Sequence, residues 1–279
     1  TGLQLWEKTV ADYRESYSLT LAPLIVKDKV IVGIAGGEYG VRGFIDAYDV
    51  KTGERVWRFY TIPGEGEPGN ETWAGDSWKT GGAPAWVTGT YDPDLNLLFW
   101  GTGNPSPDFN GEVRNGDNLY SNSIVALNAD TGKLAWHFQA TPHDIFDLDS
   151  VSEPMLIDTE INGKTVKALF HVNRNGFVYA LDRATGSFLY AKPYSKITWA
   201  RIGEDGKPVI KPEALASGFL VCPGLFGGKN WPPAAYSPKT NMIYTPDMER
   251  CSTYVTMDVV FRRGLPYYGG FLELEPPDK

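Results

Sequence analysis

A short repeated segment constrains the fold of this chain more than any other feature of the sequence. Each copy contains a strand that ends in Asp or Asn, a Thr-Gly turn and an aromatic residue five positions after the threonine. Three full copies occupy residues 47–57, 126–136 and 180–190, and residues 1–6 match the end of a fourth. Repeats of about 40–50 residues that each form four strands are typical of β-propellers. The sequence therefore predicts an all-β propeller of four-stranded antiparallel blades.

The repeat also predicts how the blades are divided along the chain. Asx and Gly residues suit the tight turn between two strands, and the periodic aromatic side chain can wedge between neighbouring sheets. By this pattern the chain holds three full blades, the end of one before them and a partial one after Tyr190. We therefore expect residues 1–279 to form one partial propeller domain that is truncated at both ends. Only residues 211–216 suggest a helix.

Composition excludes several classes of protein. With 42% hydrophobic and 22% charged residues the chain is globular rather than disordered. Its formal net charge of −8 argues against nucleic-acid binding, which needs a basic surface. No apolar run approaches the roughly 18 residues that cross a bilayer, so we expect no transmembrane segment. The two cysteines, Cys222 and Cys251, are too few for a four-thiolate zinc site.

The spacing of the repeats indicates insertions. The successive threonines are 51, 79 and 54 residues apart, and the surplus in the middle step can be placed in residues 63–79 and 105–117. Insertions in a repeat protein tend to lie on one face, often the binding face. A passive surface loop is the alternative. The tryptophans between Thr72 and Trp86 favour a functional role, since they are unusual in plain solvent-exposed loops.

An acidic segment supplies candidate metal ligands. Asp144, Asp147 and Asp149 lie within six positions, and the last two can reach one cation from a loop. Carboxylate and amide oxygens suit hard cations such as calcium. A solvated acidic turn explains this segment equally well. Glu38, among glycines, and Asn104, before a proline, are by themselves better explained as turn residues.

Taken together, seven motifs resemble the quinoprotein alcohol dehydrogenases, enzymes that use pyrroloquinoline quinone (PQQ). The motifs are Gly-Gly-Glu-x-Gly-Val-Arg-Gly (36–43), Gly-Gly-Ala-Pro-Ala-Trp (81–86), Trp-Gly-Thr-Gly-Asn-Pro (100–105), Gly-Asp-Asn-Leu-Tyr (116–120), Thr-Pro-His-Asp with Asp147 (141–147), Asn-Arg-Asn-Gly (173–176) and Gly-Gly-x-Asn-Trp (227–231). The resemblance covers essentially the whole chain, and so many motifs in family order are a specific signal. It implies an eight-bladed propeller, about half of it present here, with PQQ and a metal ion near the axis.

The resemblance also implies roles for individual residues. Glu38 and Asn104 match the metal ligands of the family, and Asp147 matches its catalytic carboxylate, which also borders the metal. Asp149 matches the additional aspartate of lanthanide-using members, so the expected ion is calcium or a lanthanide. The residues expected to contact PQQ are Thr20, Trp86, Arg174, Asn230 and Trp231. Trp86 matches the tryptophan that stacks under the quinone ring, and Arg174 the arginine that hydrogen-bonds the reactive quinone oxygens.

These roles imply an activity. The metal would act as a Lewis acid and Asp147 as general base while hydride passes from a primary alcohol to the quinone. Arg174 would stabilise charge on the quinone oxygens. The implied electron acceptor is a cytochrome c or a quinone. Cys222 and Cys251 match a disulfide of methanol-oxidising members, which fits the periplasm.

Three departures from the family pattern qualify the resemblance. Position 35 is Ala where methanol-type members have a serine near the cofactor, and Phe146 stands where many members have tryptophan, so the substrate pocket can differ. The chain also has only about half the family length, so we expect it to need the remaining blades and to show little activity alone. The competing hypothesis is a non-catalytic PQQ-like propeller, a scaffold of the outer-membrane assembly type.

Overall fold

The computed structural model describes residues 2–161 and 163–276, and it confirms an all-β fold. These residues contain nineteen strands and six short 3₁₀ helices, with no α-helix among them. The 3₁₀ helices are Tyr13–Glu15, Gly37–Tyr39, Asn70–Thr72, Ser77–Thr80, Glu112–Arg114 and Pro212–Leu215. The last of these lies within the segment where the sequence suggests a helix. None of the helices in the described ranges is long and apolar enough to cross a membrane.

Three four-stranded antiparallel sheets form the body of the molecule, as the repeat predicts. Each is a meander in which neighbouring strands follow one another in sequence. The first contains β1 (Leu24–Val26), β2 (Lys29–Gly33), β3 (Phe44–Asp49) and β4 (Arg55–Tyr60). The second contains β5 (Thr90–Asp92), β6 (Leu97–Gly101), β7 (Ser123–Asn128) and β8 (Leu134–Gln139). The third contains β9 (Met155–Ile161), β10 (Lys164–Val172), β11 (Phe177–Asp182) and β12 (Phe188–Pro193).

The Thr-Gly turn has the same construction in each sheet. Asp49 Oδ1 accepts hydrogen bonds from the backbone N–H groups of Lys51 and Thr52, at 2.9 and 2.8 Å. Asn128 and Asp182 do the same for the residues two and three positions later. The glycine of each turn has a positive φ of about 70°, which glycine adopts at little cost. The short Asx side chain and the glycine therefore define the turn from sequence alone.

The periodic tryptophans join each sheet to the next. Trp6, Trp57 and Trp136 lie against the glycine of the following turn, where an added Cβ would be 2.6–2.7 Å from the indole ring. Each indole N–H donates to a carbonyl oxygen of that turn, at 2.9–3.2 Å. The predicted wedge is thus confirmed for these three. Tyr190 packs instead on Phe170 of its own sheet, because the next hairpin lacks the Thr-Gly turn. Thr1 lies outside the described residues.

The second sheet is buried on both faces, which explains its continuous apolar strands. Leu98 and Trp100 of β6 pack with residues of the first sheet, whereas Leu97 and Phe99 pack with the third. Alternate residues of a strand point to opposite faces, so one strand contributes to two cores. All four side chains are at least nine-tenths buried.

Beyond the third sheet the strands are shorter. They form a hairpin of β13 (Ala200–Ile202) and β14 (Pro208–Ile210), a hairpin of β16 (Ala235–Ser237) and β17 (Met242–Tyr244), and a sheet of β15 (Leu220–Val221), β18 (Cys251–Thr256) and β19 (Gly270–Glu275). A disulfide joins Cys222 and Cys251, as the resemblance implied.

The two insertions pack against different parts of the fold. In the first, Trp73 is buried against Ile62 and Ala83 and donates its indole N–H to the Leu119 carbonyl oxygen at 2.5 Å, so its role is packing. The second insertion, residues 105–117, lies under the C-terminal segment, because Phe109 N donates to the Tyr268 carbonyl oxygen at 2.8 Å. The same C-terminal segment reaches the first sheet, where Tyr267 N donates to the Glu38 carbonyl oxygen at 2.7 Å.

Candidate active site

The turn that carries Asp147 and Asp149 is built around a third aspartate. Asp144 is buried and accepts hydrogen bonds from Phe146 N at 2.8 Å, Leu148 N at 2.7 Å and Asn122 Nδ2 at 2.7 Å. Phe146 and Leu148 are buried, whereas Asp147 between them has φ +59° and keeps 15% of its side chain exposed. Asp tolerates this left-handed conformation better than most residues. Asp144 is therefore structural, and its turn presents Asp147 at the surface of the site.

Arg174 connects the two other aspartates. It lies in the turn between β10 and β11, and its Nη1 is 2.6 Å from Asp149 Oδ2 while its Nη2 is 3.2 Å from Asp147 Oδ2. Its Nε donates to the Leu225 carbonyl oxygen at 2.9 Å. Burial lowers the pKa of Arg174, but the Asp147 and Asp149 charges outweigh it and leave that pKa above its ordinary value. The guanidinium thus stays charged and fixes both carboxylates.

Asp149 is surrounded by donors from three parts of the chain. Besides Arg174, its oxygens accept from Asn104 N at 2.7 Å and from Trp86 Nε1 at 3.1 Å. Gly103 permits this approach, because a Cβ there would lie 2.5 Å from Asp149 Oδ1. A carboxylate has about four lone-pair positions, so Asp149 keeps capacity for a cation in addition to these bonds.

Glu38 approaches the same place from the first sheet. It sits in the 3₁₀ helix Gly37–Tyr39, whose preceding residue, Gly36, has φ +118°. Although its side chain reaches the surface, protein surrounds the carboxyl closely enough that desolvation raises its pKa, and the Asp149 charge adds to the effect while Arg174 opposes it. Asn104 Oδ1 lies on this side as well, 3.6 Å from where a Cβ on Gly37 would be.

The structure adds a carboxylate that no sequence motif indicates. Asp108, in the second insertion, is only 1% exposed. Burial raises the pKa of its carboxyl well above the ordinary value, and the charges of Glu38 and Asp149 add to this. Burial likewise raises the pKa of Asp147, with Arg174 opposing and Asp149 and Asp108 adding. Four carboxylates therefore share one electrostatic neighbourhood. The only signal in the sequence was the insertion itself.

The predicted ligands are brought into one region, but their oxygens do not converge on a point. Among residues 2–161 and 163–276, no group of three or more Asp, Glu, His or Cys side chains has the spacing that holds a metal ion. Asp147 and Asp149 contact Arg174 instead. The chemistry of the set nevertheless fits a hard cation, because it consists of carboxylate and amide oxygens. The assignment of Glu38, Asn104, Asp147 and Asp149 as ligands stays a prediction.

Three of the five predicted cofactor contacts, Thr20, Trp86 and Trp231, line an adjoining pocket. A cavity of about 350 Å³ is lined by Thr20, Leu21, Trp86, Val87, Thr88 and Trp231. Thr20 Oγ1 donates to the Trp86 carbonyl oxygen at 2.8 Å, and Trp231 is 65% exposed. Asn230 precedes Trp231 and bonds to its own loop through the Phe226 carbonyl oxygen at 3.2 Å. Two indoles beside a cavity suit a flat aromatic ligand, so the residues fit PQQ in chemistry.

The pocket and the acidic group are linked by one side chain. Trp86 lines the cavity, and its indole N–H reaches Asp149. Arg174 stands on the acidic side rather than in the lining of the cavity. Phe146, where the sequence departs from the family, is 1% exposed and packs on Trp199 and Tyr254 at ring distances of 5.9 and 5.5 Å. Phe146 therefore anchors the turn that carries Asp147 to the hydrophobic core.

The fold and the site define a class: β-propellers in which an acidic centre adjoins a tryptophan-lined pocket. The model of the PQQ family described as glucose/ethanol/alcohol dehydrogenase, β-propeller domain, matches residues 2–197, and the chain belongs to that family.

Individual relatives agree with this assignment. The chain is 42% identical to the quinoprotein alcohol dehydrogenase PedH of Pseudomonas putida, over 99% of this chain and 51% of the relative. It is 41% identical to a lanthanide-dependent methanol dehydrogenase of Methylacidiphilum fumariolicum, over 96% of this chain and 48% of the relative. The solved structure of a europium-containing methanol dehydrogenase superposes with a TM-score of 0.93 at 40% identity, over 98% of this chain and 52% of that one. The chain thus spans about half the length of the relatives it matches.

Proposed function

We propose that this chain carries the cofactor and metal site of a PQQ-dependent alcohol dehydrogenase that oxidises a primary alcohol. One observation supports this above the others. Arg174 contacts both Asp147 and Asp149, and Asp149 in turn accepts the indole N–H of Trp86 at the adjoining pocket. A base, a cation-binding carboxylate and an aromatic platform are thereby connected in a single hydrogen-bonded chain.

Different residues would bind the cofactor and the metal ion. Trp86 and Trp231 would flank the cofactor, with Thr20 and Asn230 as polar contacts, while Glu38, Asn104, Asp147 and Asp149 would supply oxygens to calcium or a lanthanide ion. When bound, PQQ would accept hydride from the alcohol, with its carbonyl polarised by the ion. Arg174 would stabilise the negative charge that develops on oxygen.

Asp147 is the residue we assign to the proton. Its side chain is partly exposed while its neighbours Phe146 and Leu148 are buried, so a hydroxyl group can reach its carboxylate. Burial raises its pKa, which makes the carboxylate a stronger base. Arg174 keeps that carboxylate oriented. Asp147 would therefore take the proton of the alcohol hydroxyl.

The wider setting is also a proposal. We propose that the whole protein works in the periplasm and passes electrons to a cytochrome c or a quinone. The Cys222–Cys251 disulfide supports an oxidising compartment, and the relatives named above are bacterial.

An outer-membrane assembly scaffold is the competing function. Such a scaffold needs the blade-to-blade tryptophans but has no use for buried carboxylates, which are costly without a partner. Asp108 is only 1% exposed, and its Oδ1 has no hydrogen-bond partner among the residues that the structure describes. This burial favours the enzyme.

The deciding experiment uses the full-length protein with PQQ and either calcium or a light lanthanide, on a panel of alcohols with an artificial electron acceptor. We expect alcohol oxidation that Asp147→Asn abolishes and that Asp117→Asn, an exposed control on the second insertion, leaves intact. Asp149→Ala should remove a preference for the lanthanide. Equal activity with both metals would contradict the lanthanide assignment, and absence of PQQ binding would favour the scaffold.

A further inference from the structure

One buried carboxylate has no use in the mechanism given above. Asp108 follows Pro107 in the second insertion and is 1% exposed, and its Oδ1 makes no hydrogen bond to any residue that the structure describes. A buried carboxylate oxygen without a partner is costly, because it has lost its water and gained nothing in return. A cation or a hydrogen-bond donor beside this oxygen would offset that cost.

The neighbouring arginine does not provide the compensation. Arg114 is fully buried in the same insertion and attracts the Asp108 charge. Its N–H groups, however, donate to the carbonyl oxygens of Pro107 and Asp144 and to Asn118 Oδ1. The guanidinium is thus committed to neutral oxygens.

The insertion directs Asp108 towards the acidic group. Ser106 Oγ donates to the Gly37 carbonyl oxygen, which holds this loop against the turn that carries Glu38. Asn104, one of the predicted ligands, lies near enough to the Asp108 carboxyl to lower its pKa, against the effect of burial. Among the charged side chains, Glu38 acts on Asp108 most strongly. Asp108 therefore belongs to the same buried neighbourhood as Glu38 and Asn104.

The burial of Asp108 beside the predicted ligands points to a role for it at the cation site. We propose that Asp108 is a further residue of the cation site, contributing a fourth carboxylate beside Glu38, Asp147 and Asp149. This inference rests on the proposed function. The four carboxylates and the Arg174 that bonds two of them carry a formal charge of −3, and loss of Asp108 reduces it to −2. Because Coulomb energy scales with the product of charges, loss of Asp108 weakens a trivalent ion more than calcium.

Terbium luminescence tests the proposal without any activity assay. Full-length protein loaded with PQQ is titrated with Tb³⁺, whose emission nearby tryptophans such as Trp86 sensitise, and Ca²⁺ affinity is measured by competition. We expect Asp108→Asn to lower Tb³⁺ affinity by about 10–100-fold, the usual effect of removing a metal-site partner, and to lower Ca²⁺ affinity less. Emission lifetimes in H₂O and D₂O should report about one additional water on Tb³⁺, replacing the lost oxygen ligand.

The control and the alternatives are built into the same experiment. Asp117→Asn makes the same chemical change on an exposed residue of the same insertion and should alter neither affinity nor hydration. Unchanged Tb³⁺ affinity and hydration in Asp108→Asn would overturn the role of Asp108 alone. Failure of the unmodified protein to bind Tb³⁺ would overturn the proposed function as well. If Asp108→Asn does not fold, Asp108→Ser, which leaves space for water, is judged by the same two measurements.

Discussion

Arg174 lies between Asp149 and Asp147 with one nitrogen on each, and its Nη1–Oδ2 distance to Asp149 is 2.6 Å. The same arrangement recurs away from the site. Arg183, in the turn that follows β11, lies 2.6 Å from Asp158 and 2.7 Å from Asp92, the latter an ion pair without hydrogen-bond geometry. The molecule therefore offers two buried arginines with two aspartates each, one at the site and one remote from it.

This pair gives a matched test of function against stability. We expect Arg174→Lys to lower the turnover of the full-length holoprotein by about 10²–10³-fold, because lysine is a point charge that cannot bond both carboxylates at once. Arg183→Lys should lower the free energy of unfolding while the turnover per folded molecule stays the same. Steady-state kinetics together with denaturant unfolding separate the two effects. Equal loss of turnover in both variants would assign Arg174 a structural role only.

The disulfide provides a second prediction, since it closes the loop that carries Trp231. Cys222 and Cys251 are 29 residues apart, and a cross-link of that span stabilises a folded chain by about 3–4 kcal/mol in the chain-entropy treatment. We expect reduction, or replacement of both cysteines by alanine, to lower the free energy of unfolding by roughly this amount. It should also weaken PQQ binding, because the same loop supplies the Leu225 carbonyl to Arg174. If reduction leaves the PQQ affinity unchanged, the loop closed by the disulfide does not contribute to the PQQ pocket.

The blade-to-blade contact leads to a third prediction. Gly132 has φ +68°, and a Cβ there would meet the Trp57 ring at 2.6 Å. Gly66 has a similar φ of +80°, but a Cβ there meets no atom within 4 Å in the part of the chain that the structure describes. Gly132→Ala therefore carries both backbone strain and a clash, whereas Gly66→Ala carries strain alone. We expect Gly132→Ala to lower the free energy of unfolding by about 1–3 kcal/mol more than Gly66→Ala does, which is the usual cost of overpacking. Thermal unfolding of both variants measures this difference. Equal melting temperatures of the two variants would contradict tight packing of Trp57 on Gly132.

His171 makes stability depend on pH. It is buried in β10, with Nε2 2.9 Å from the Ser152 carbonyl oxygen and Nδ1 3.3 Å from the Asn173 amide. Burial, together with the Lys229 charge, lowers its pKa to about 3. The unfolded chain, with an ordinary histidine pKa of about 6.5, binds the proton first as pH falls. The contribution of His171 is therefore intact above about pH 6.5 and is lost progressively from there towards pH 3.

The matching variant is His171→Gln, whose amide can still donate to Ser152 and does not titrate. Between pH 6 and 4 we expect the unfolding free energy of the unmodified protein to fall by about 1.4 kcal/mol per pH unit more steeply than that of the variant. Denaturant unfolding at stepped pH measures both slopes. Parallel slopes would show that His171 is protonated in the folded protein.

Local patterns explain how much of the fold was predictable. The Asx-Thr-Gly turn is specified by its own side chains, so Asp49, Asn128 and Asp182 could be identified from the sequence. Tyr190 shows the limit of this reasoning. It occupies the periodic aromatic position, but its contact depends on a partner hairpin that does not repeat the pattern, and it packs on Phe170.

The site was less predictable for the same physical reason. The resemblance identified residues that the structure brings into one region, such as Trp86 and Asp149. Asp108 was missed because nothing in its local sequence reveals its burial, which comes from the C-terminal segment crossing over Phe109. Asp144 belongs to the same acidic segment as Asp147 and Asp149, and its oxygens accept from backbone N–H groups two and four residues away. Contacts between residues that are close in sequence can be predicted from the sequence. Burial by a segment that is distant in sequence cannot.

The hydrogen bond from Tyr267 to Glu38 has a consequence for biosynthesis. The two residues belong to opposite ends of this chain, and translation proceeds at about 5–20 residues per second. The Glu38 turn is therefore made on the order of ten seconds or more before the C-terminal segment that bonds to it. The surroundings of Glu38 are therefore completed only after the C-terminal segment has been synthesised and has folded back onto this turn.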